Sequence, residues 1–235
     1  MTTLLVAHGT RNPHGVSMIG DLAAAMAGVL EETVRVAFVD VLGPAPDEVL
    51  RTLHDESIVL VPALLSSGYH VRSDVPRRVA ESGHPAVTMT SALGPSPELA
   101  RVILDRLIEA RWRPDDHVVM AAAGTSDPRA QSEVHSVAVV LSALVGSRVS
   151  IAFAAACRDG SGYPSVPDVV SRVRRAGARR VAVASYLLAD GLFQSRLLEA
   201  GADVVGAPLG LHPAVVRLAC LRRKHADLAA APARG

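Results

Sequence analysis

Short apolar runs alternate with longer stretches of helical periodicity through the first half of the chain. Residues 4–7, 34–39, 58–65 and 86–89 are apolar and rich in β-formers, and read as strands. Residues 16–30, 44–53 and 97–110 carry helical patterns, and a further helix is predicted after Asp74-Val75-Pro76. Near-continuous apolar strands separated by helices pair in parallel, with both faces covered. This half therefore reads as a four-stranded parallel sheet flanked by helices.

The second half repeats the first. Ala7-His8-Gly9-Thr10 and Pro13 correspond to Ala122-Ala123-Gly124-Thr125 and Pro128, 115 residues on. Val36 to Asp40 corresponds to Ile151 to Ala155 at the same offset. Leu64-Leu65, Gly68 and His70 match Leu187-Leu188, Gly191 and Phe193, and Leu93-Gly94 and Pro97 match Leu209-Gly210 and Pro213. Four matched segments in one order predict an α/β protein of two homologous domains with a cleft between them. The first spans residues 1–112 and the second 113–225, with 226–235 as a flexible tail.

The copies differ where chemistry is expected. The glycines and the strand-two phenylalanine recur, but His8 becomes Ala123, Asp40 becomes Ala155 and His70 becomes Phe193. All three polar residues fall at or just beyond the C-terminal ends of predicted strands, where open parallel sheets bind ligands. Two imidazoles and a carboxylate there suit a divalent metal. Imidazole binds metal only when neutral, so such a site weakens in acid. The polar segment Ser66-Ser67-Gly68-Tyr69-His70-Val71-Arg72 is predicted to line the site. Arg72, and Arg11 after the first loop, are candidates for binding a carboxylate. Asp74, just before Val75-Pro76, reads as the N-cap of the next helix.

Composition narrows the classes. Basic and acidic residues number 24 and 23, so nothing marks a nucleic-acid binder, and aromatics are only 3%. Cys157 and Cys220 form no CxxC pair, which fits a reducing cytoplasm and excludes a disulfide scaffold. No run of about 18–20 apolar residues is present to span a bilayer, and the N-terminus has no basic region of a signal peptide. No GxxxxGK[ST], GxGxxG or GxSxG motif occurs. The halves differ in charge: residues 1–112 hold 9 basic and 13 acidic groups, residues 113–235 hold 15 and 10. On this basis the second half is expected to attract a polyanion and the first a cation.

His8-Gly9-Thr10-Arg11 after the first strand, with Gly68-Tyr69-His70 and Asp74-Val75-Pro76, resembles the class II sirohydrochlorin chelatases. Those are ATP-independent enzymes of siroheme and cobalamin synthesis, and their long members are duplicated. The resemblance implies insertion of Fe²⁺ into sirohydrochlorin, with Co²⁺ insertion for cobalamin or a non-enzymatic metal or tetrapyrrole carrier as alternatives. It implies that His8 and His70 bind the metal. Asp40 stands where the family commonly has Glu, a methylene shorter, and is expected to act in catalysis and metal binding directly or through water. Arg11, Ser67, Gly68, Tyr69, Arg72 and Arg129 are expected at the tetrapyrrole, with Arg158 a further candidate. No permanent cofactor, nucleic acid or membrane is expected, and a cytoplasmic monomer suffices. A periplasmic-type binding protein also has two α/β domains around a cleft, but the small domains and the N-terminus count against it.

Overall fold

The computed structural model describes residues 2–155 and 161–230. The first repeat runs β1 (Thr2–Ala7), α1 (Pro13–Leu30), β2 (Thr33–Phe38), α2 (Pro46–Arg51), β3 (Ile58–Pro62), α3 (Val75–Ser82), β4 (Val87–Met89) and α4 (Pro97–Glu109). The second runs β5 (His117–Ala122), α5 (Pro128–Val145), β6 (Ser150–Phe153), α6 (Val166–Arg175), β7 (Val181–Tyr186), α7 (Leu192–Leu198), β8 (Val204–Val205) and α8 (Pro213–Ala230). Each repeat forms a four-stranded parallel sheet, ordered β2-β1-β3-β4 and β6-β5-β7-β8. The expected α/β class and paired parallel sheets are what the chain adopts.

Burial follows position in the sheet. Every described residue of β1, β3 and β7 is buried, as central strands covered on both faces require. Edge strand β2 alternates between exposed and half-buried before burying Ala37 and Phe38. The strand predicted over 58–65 stops at Pro62, because the backbone then turns into the loop that carries the site. The helix predicted over 44–53 shortens to α2, which starts with Pro46 in its first turn.

The strand-one loops show how closely the copies agree. Thr10 Oγ1 accepts from the Asn12 amide and Thr125 Oγ1 from the Asp127 amide, both at 3.1 Å. Asn12 and Asp127 then cap α1 and α5, each bonding a backbone amide at 2.9 Å. The preceding glycines have φ of +94° and +125°. A Cβ on Gly9 would lie 2.2 Å from the Asp40 carbonyl oxygen, and one on Gly124 2.3 Å from that of Ala155. Gly124→Ala is therefore expected to cost about 2–4 kcal/mol, as a left-handed backbone and a backbone collision combine. Denaturant unfolding checks this, and an unchanged midpoint would contradict it.

The repeats and the compact units do not coincide. One unit comprises Met1–Leu93 with Pro213–Gly235, and the other Gly94–His212. Helix α8 packs on α1 and β3 of the first unit, while α4 packs on α5 and β7 of the second. Each repeat thus lends its last helix to the other repeat's sheet. Equivalent arginines anchor both helices: Arg106 Nη2 donates to the Leu209 carbonyl at 2.9 Å, and Arg222 Nη2 to that of Leu93 at 3.3 Å. The exchange removes the charge contrast expected from sequence. The first unit holds 11 basic and 11 acidic groups and the second 13 and 12, because α8 brings its cations to the first sheet. The segment from residue 226, expected as a flexible tail, is helical to Ala230. Ala226 is buried there, and Asp227 pairs with Arg223 at 2.7 Å. Residues 231–235 lie outside the described part. Among the described residues no helix is long and apolar enough to cross a membrane.

Candidate active site

His8 is the first residue beyond β1, and His70 opens the turn that precedes α3. β1 and β3 are neighbours, paired from Thr2↔Ile58 to Val6↔Pro62. The chain leaves β1 for β2 on one side and later returns to β3 on the other. Their C-terminal ends thus border the topological switch point of the sheet, where a ligand crevice forms.

The two imidazoles meet edge to face, with centroids 5.0 Å apart and planes at 88°. A metal held by imidazole nitrogen sits about 2.1 Å from it, hence about 3.2 Å from the ring centre; two such rings at a tetrahedral angle have centres about 5 Å apart. The observed spacing therefore suits two imidazoles sharing one divalent ion.

A π-helical turn, His70–Asp74, carries the second histidine and closes through the Val75 amide on the His70 carbonyl. Such turns are often found at functional sites. Asp74 occupies the cap position of α3, but its side chain caps nothing. Its carboxylate is buried and lies 3.1 Å from His70 Nδ1. An ionised carboxylate only accepts, so Nδ1 must donate, which leaves Nε2 as the metal-binding atom. Arg77 Nη2 donates to the other oxygen of Asp74 at 2.7 Å. Burial works to raise the Asp74 pKa, but the bonds from His70 and Arg77 and the charge of Arg78 outweigh it, holding the carboxyl below the usual carboxylate range. Asp74 thus serves the imidazole instead of the helix cap that its place before Val75-Pro76 predicts. The His70-to-Asp74 spacing of four was the available signal.

Asp40 lies past the end of β2, next to the His8 strand end, with its amide bonded to the His8 carbonyl at 3.0 Å. Its carboxylate turns back to accept the Val41 amide at 2.7 Å. Among the described residues no group of three or more His, Cys, Asp or Glu is placed to hold one ion. The structure therefore brings His8 and His70 into ring contact, and Asp40 stands at the neighbouring strand end. Val41 itself has φ of +69°, a costly conformation for a β-branched residue.

The other expected contacts are exposed or half-buried. Arg11 is exposed before α1, and Arg72 is exposed within the π-helical turn, its amide bonded to the Gly68 carbonyl at 3.1 Å. Ser67 and Gly68 are half-buried, and exposed Tyr69 places its ring 5.8 Å from that of His70. Arg129 is exposed in the first turn of α5, on the other unit. Arg158 and Cys157 lie outside the described residues. Cys220 is free and buried, and burial pushes its thiol pKa up.

In the second unit the equivalent positions are filled with apolar material. Ala123 and Phe193 pack against the core built on β5, β6 and β7. The copy keeps the fold and loses the donors.

The sequence model of the CbiX family matches this chain twice, over residues 2–110 and 117–226. A sirohydrochlorin cobaltochelatase from Methanothermobacter thermautotrophicus is 28% identical over 129 residues, 46% of this chain and 90% of that protein. SirB from Bacillus subtilis with Fe³⁺ superposes with a TM-score of 0.78 at 20% identity, covering 96% of this chain and 94% of that one. The sirohydrochlorin chelatase SirB from Bacillus subtilis subspecies spizizenii with cobalt gives 0.76 at 18% identity, with the same coverage of both chains.

Proposed function

This chain belongs to the CbiX family in both its halves, and from that premise we propose that it inserts a divalent metal into sirohydrochlorin without ATP. The observation that carries the reading is the His8–His70 pair at the switch point, with centroids spaced for one shared ion. Fe²⁺, for siroheme, is the first assignment. Co²⁺ is the second, favoured by the name of the curated relative. Imidazole donors accept both ions, so the ligands do not choose between them.

The reaction exchanges two pyrrole N–H protons for one M²⁺, and metal and ring are both substrates. His8 and His70 present the ion through imidazole nitrogen. As the ion passes to the ring, the freed imidazole nitrogens accept the departing protons. Asp74 holds His70 in the tautomer that leaves Nε2 for the ion and compensates the charge of its protonated form. Asp40 acts through water rather than as a direct ligand. Arg11 and Arg72 bind carboxylates of the substrate, since guanidinium matches carboxylate with paired bonds, and Arg129 offers the same group. Ser67, Gly68 and Tyr69 complete the substrate contact. The chain acts as a monomer in the cytoplasm under this reading.

The test is anaerobic incubation of sirohydrochlorin with Fe²⁺ or Co²⁺ and catalytic amounts of protein, without nucleotide, followed by absorbance. Many turnovers per chain are expected, and the metal with the larger kcat/KM identifies the product. Conversion that stops near one equivalent per chain would instead identify a carrier. Conversion no faster than the protein-free control would overturn the enzyme.

A further inference from the structure

Arg78 lies in α3, beyond the turn that carries His70, and its guanidinium reaches three separate elements. Nε donates to Asp74 Oδ1 at 3.3 Å, Nη1 to Asp47 Oδ1 in the first turn of α2 at 3.2 Å, and Nη2 to the Val39 carbonyl at 3.4 Å. Arg51 holds the second oxygen of Asp47 at 2.8 Å. Val39 immediately precedes Asp40, and both residues hang on the strand that carries His8. The Val39 amide bonds the Ala7 carbonyl and the Asp40 amide the His8 carbonyl, each at 3.0 Å.

These contacts form a closed circuit: His8 to the β2 end through backbone, the β2 end to Arg78, Arg78 to Asp74, Asp74 to His70, and His70 back to His8 through the ring contact. Arg78 joins the β2 side to the π-helical turn. Arg77 bonds the same Asp74 oxygen but otherwise pairs with Glu81 on its own helix. No single bond of Arg78 is short. Its effect comes from one rigid planar group fixing three directions at once, which a lysine ammonium cannot reproduce.

We propose that Arg78 is a positioning residue that sets the separation of the two metal-holding imidazoles, and with it metal affinity. The proposal rests on the reading of His8 and His70 as the metal site. Groups that orient a ligating histidine typically change metal affinity 10–100-fold when lost. Arg78→Met is expected to raise the Kd of the apo-protein for Co²⁺ about 10-fold by titration calorimetry, and to raise the KM for metal while the KM for sirohydrochlorin stays within about 2-fold. Arg78→Lys keeps the charge and is expected to recover only part of the loss. Asp47→Ala touches neither histidine nor Asp74, and is expected to raise the Co²⁺ Kd about 3-fold in the wild type and to add nothing in the Arg78→Met background. Full recovery by Arg78→Lys, additive effects of Asp47→Ala, or an unchanged Co²⁺ Kd in a folded Arg78→Met protein would each overturn the proposal. A wild-type chain without Co²⁺ affinity would overturn the metal-site reading beneath it.

Discussion

His8→Ala and His70→Ala are each expected to weaken Co²⁺ binding by more than about 100-fold, while leaving the melting temperature nearly unchanged. The size follows from the geometry. Losing an outer partner of a ligating histidine already costs 10–100-fold, and here one of two ligands is itself removed. The rings meet at 5.0 Å, and no third His, Cys, Asp or Glu among the described residues stands in to compensate. His8 is exposed and the His70 side chain is 31% accessible, so truncation opens no core cavity. His70→Ala also strands the buried Asp74 carboxylate, but Arg77 and Arg78 still neutralise it. The insertion rate is expected to fall further than binding alone dictates. The same imidazoles serve as proton acceptors, and general-base catalysis is worth about 10²–10⁴-fold. Calorimetry with apo-protein, beside thermal melts of each variant, separates loss of the site from loss of the fold. A folded variant that binds Co²⁺ as the wild type does would contradict the assignment.

The second large effect is on stability and arises from the exchanged helix. Arg223 of α8 is buried against the first sheet. Its Nε donates to Thr3 Oγ1 at 3.0 Å, and Nε and Nη2 donate to Glu32 at 2.8 and 2.9 Å. Thr3 in turn donates to Glu32, and Asp227 pairs with the third nitrogen. The side chains of Arg223 and Glu32 are only 5% and 15% accessible. Arg223→Met leaves Glu32 charged and largely out of water, and breaking such a pair costs about 3–5 kcal/mol. For a protein of this size that is a fall of roughly 10 °C in melting temperature. Arg217, exposed on the same helix, is the control: Arg217→Met should shift stability by less than about 0.5 kcal/mol. Equal effects of the two would mean that α8 is not locked to the first sheet by the Arg223 cluster.

These features differ in how far the sequence announces them. The strands, their parallel pairing and the duplication are written as apolar runs and recurring Gly-Thr and Phe positions. The His pair stands out because the second copy keeps the scaffold and replaces His8 and His70 with Ala123 and Phe193. Asp74 was hidden by a competing local rule. An Asp before Val-Pro is a good cap, and only the burial of its carboxylate beside His70 shows that it serves the imidazole instead. Asp40 stands at a strand end as a ligand would, and only the loop conformation shows that one of its oxygens also accepts the next amide. The helix exchange left no sequence trace, because an amphipathic face demands a sheet to cover without stating which one. The charge contrast between the halves misled for the same reason: it was counted along the chain, and α8 spends its cations on the other repeat's sheet.

The most direct test of the account is the initial rate of metal insertion into sirohydrochlorin, without ATP, by the wild-type chain and by the His8→Ala, His70→Ala double variant. Multiple turnovers are expected from the wild type, and only the protein-free rate from the double variant, still folded. A double variant that inserts metal as fast as the wild type would contradict the account.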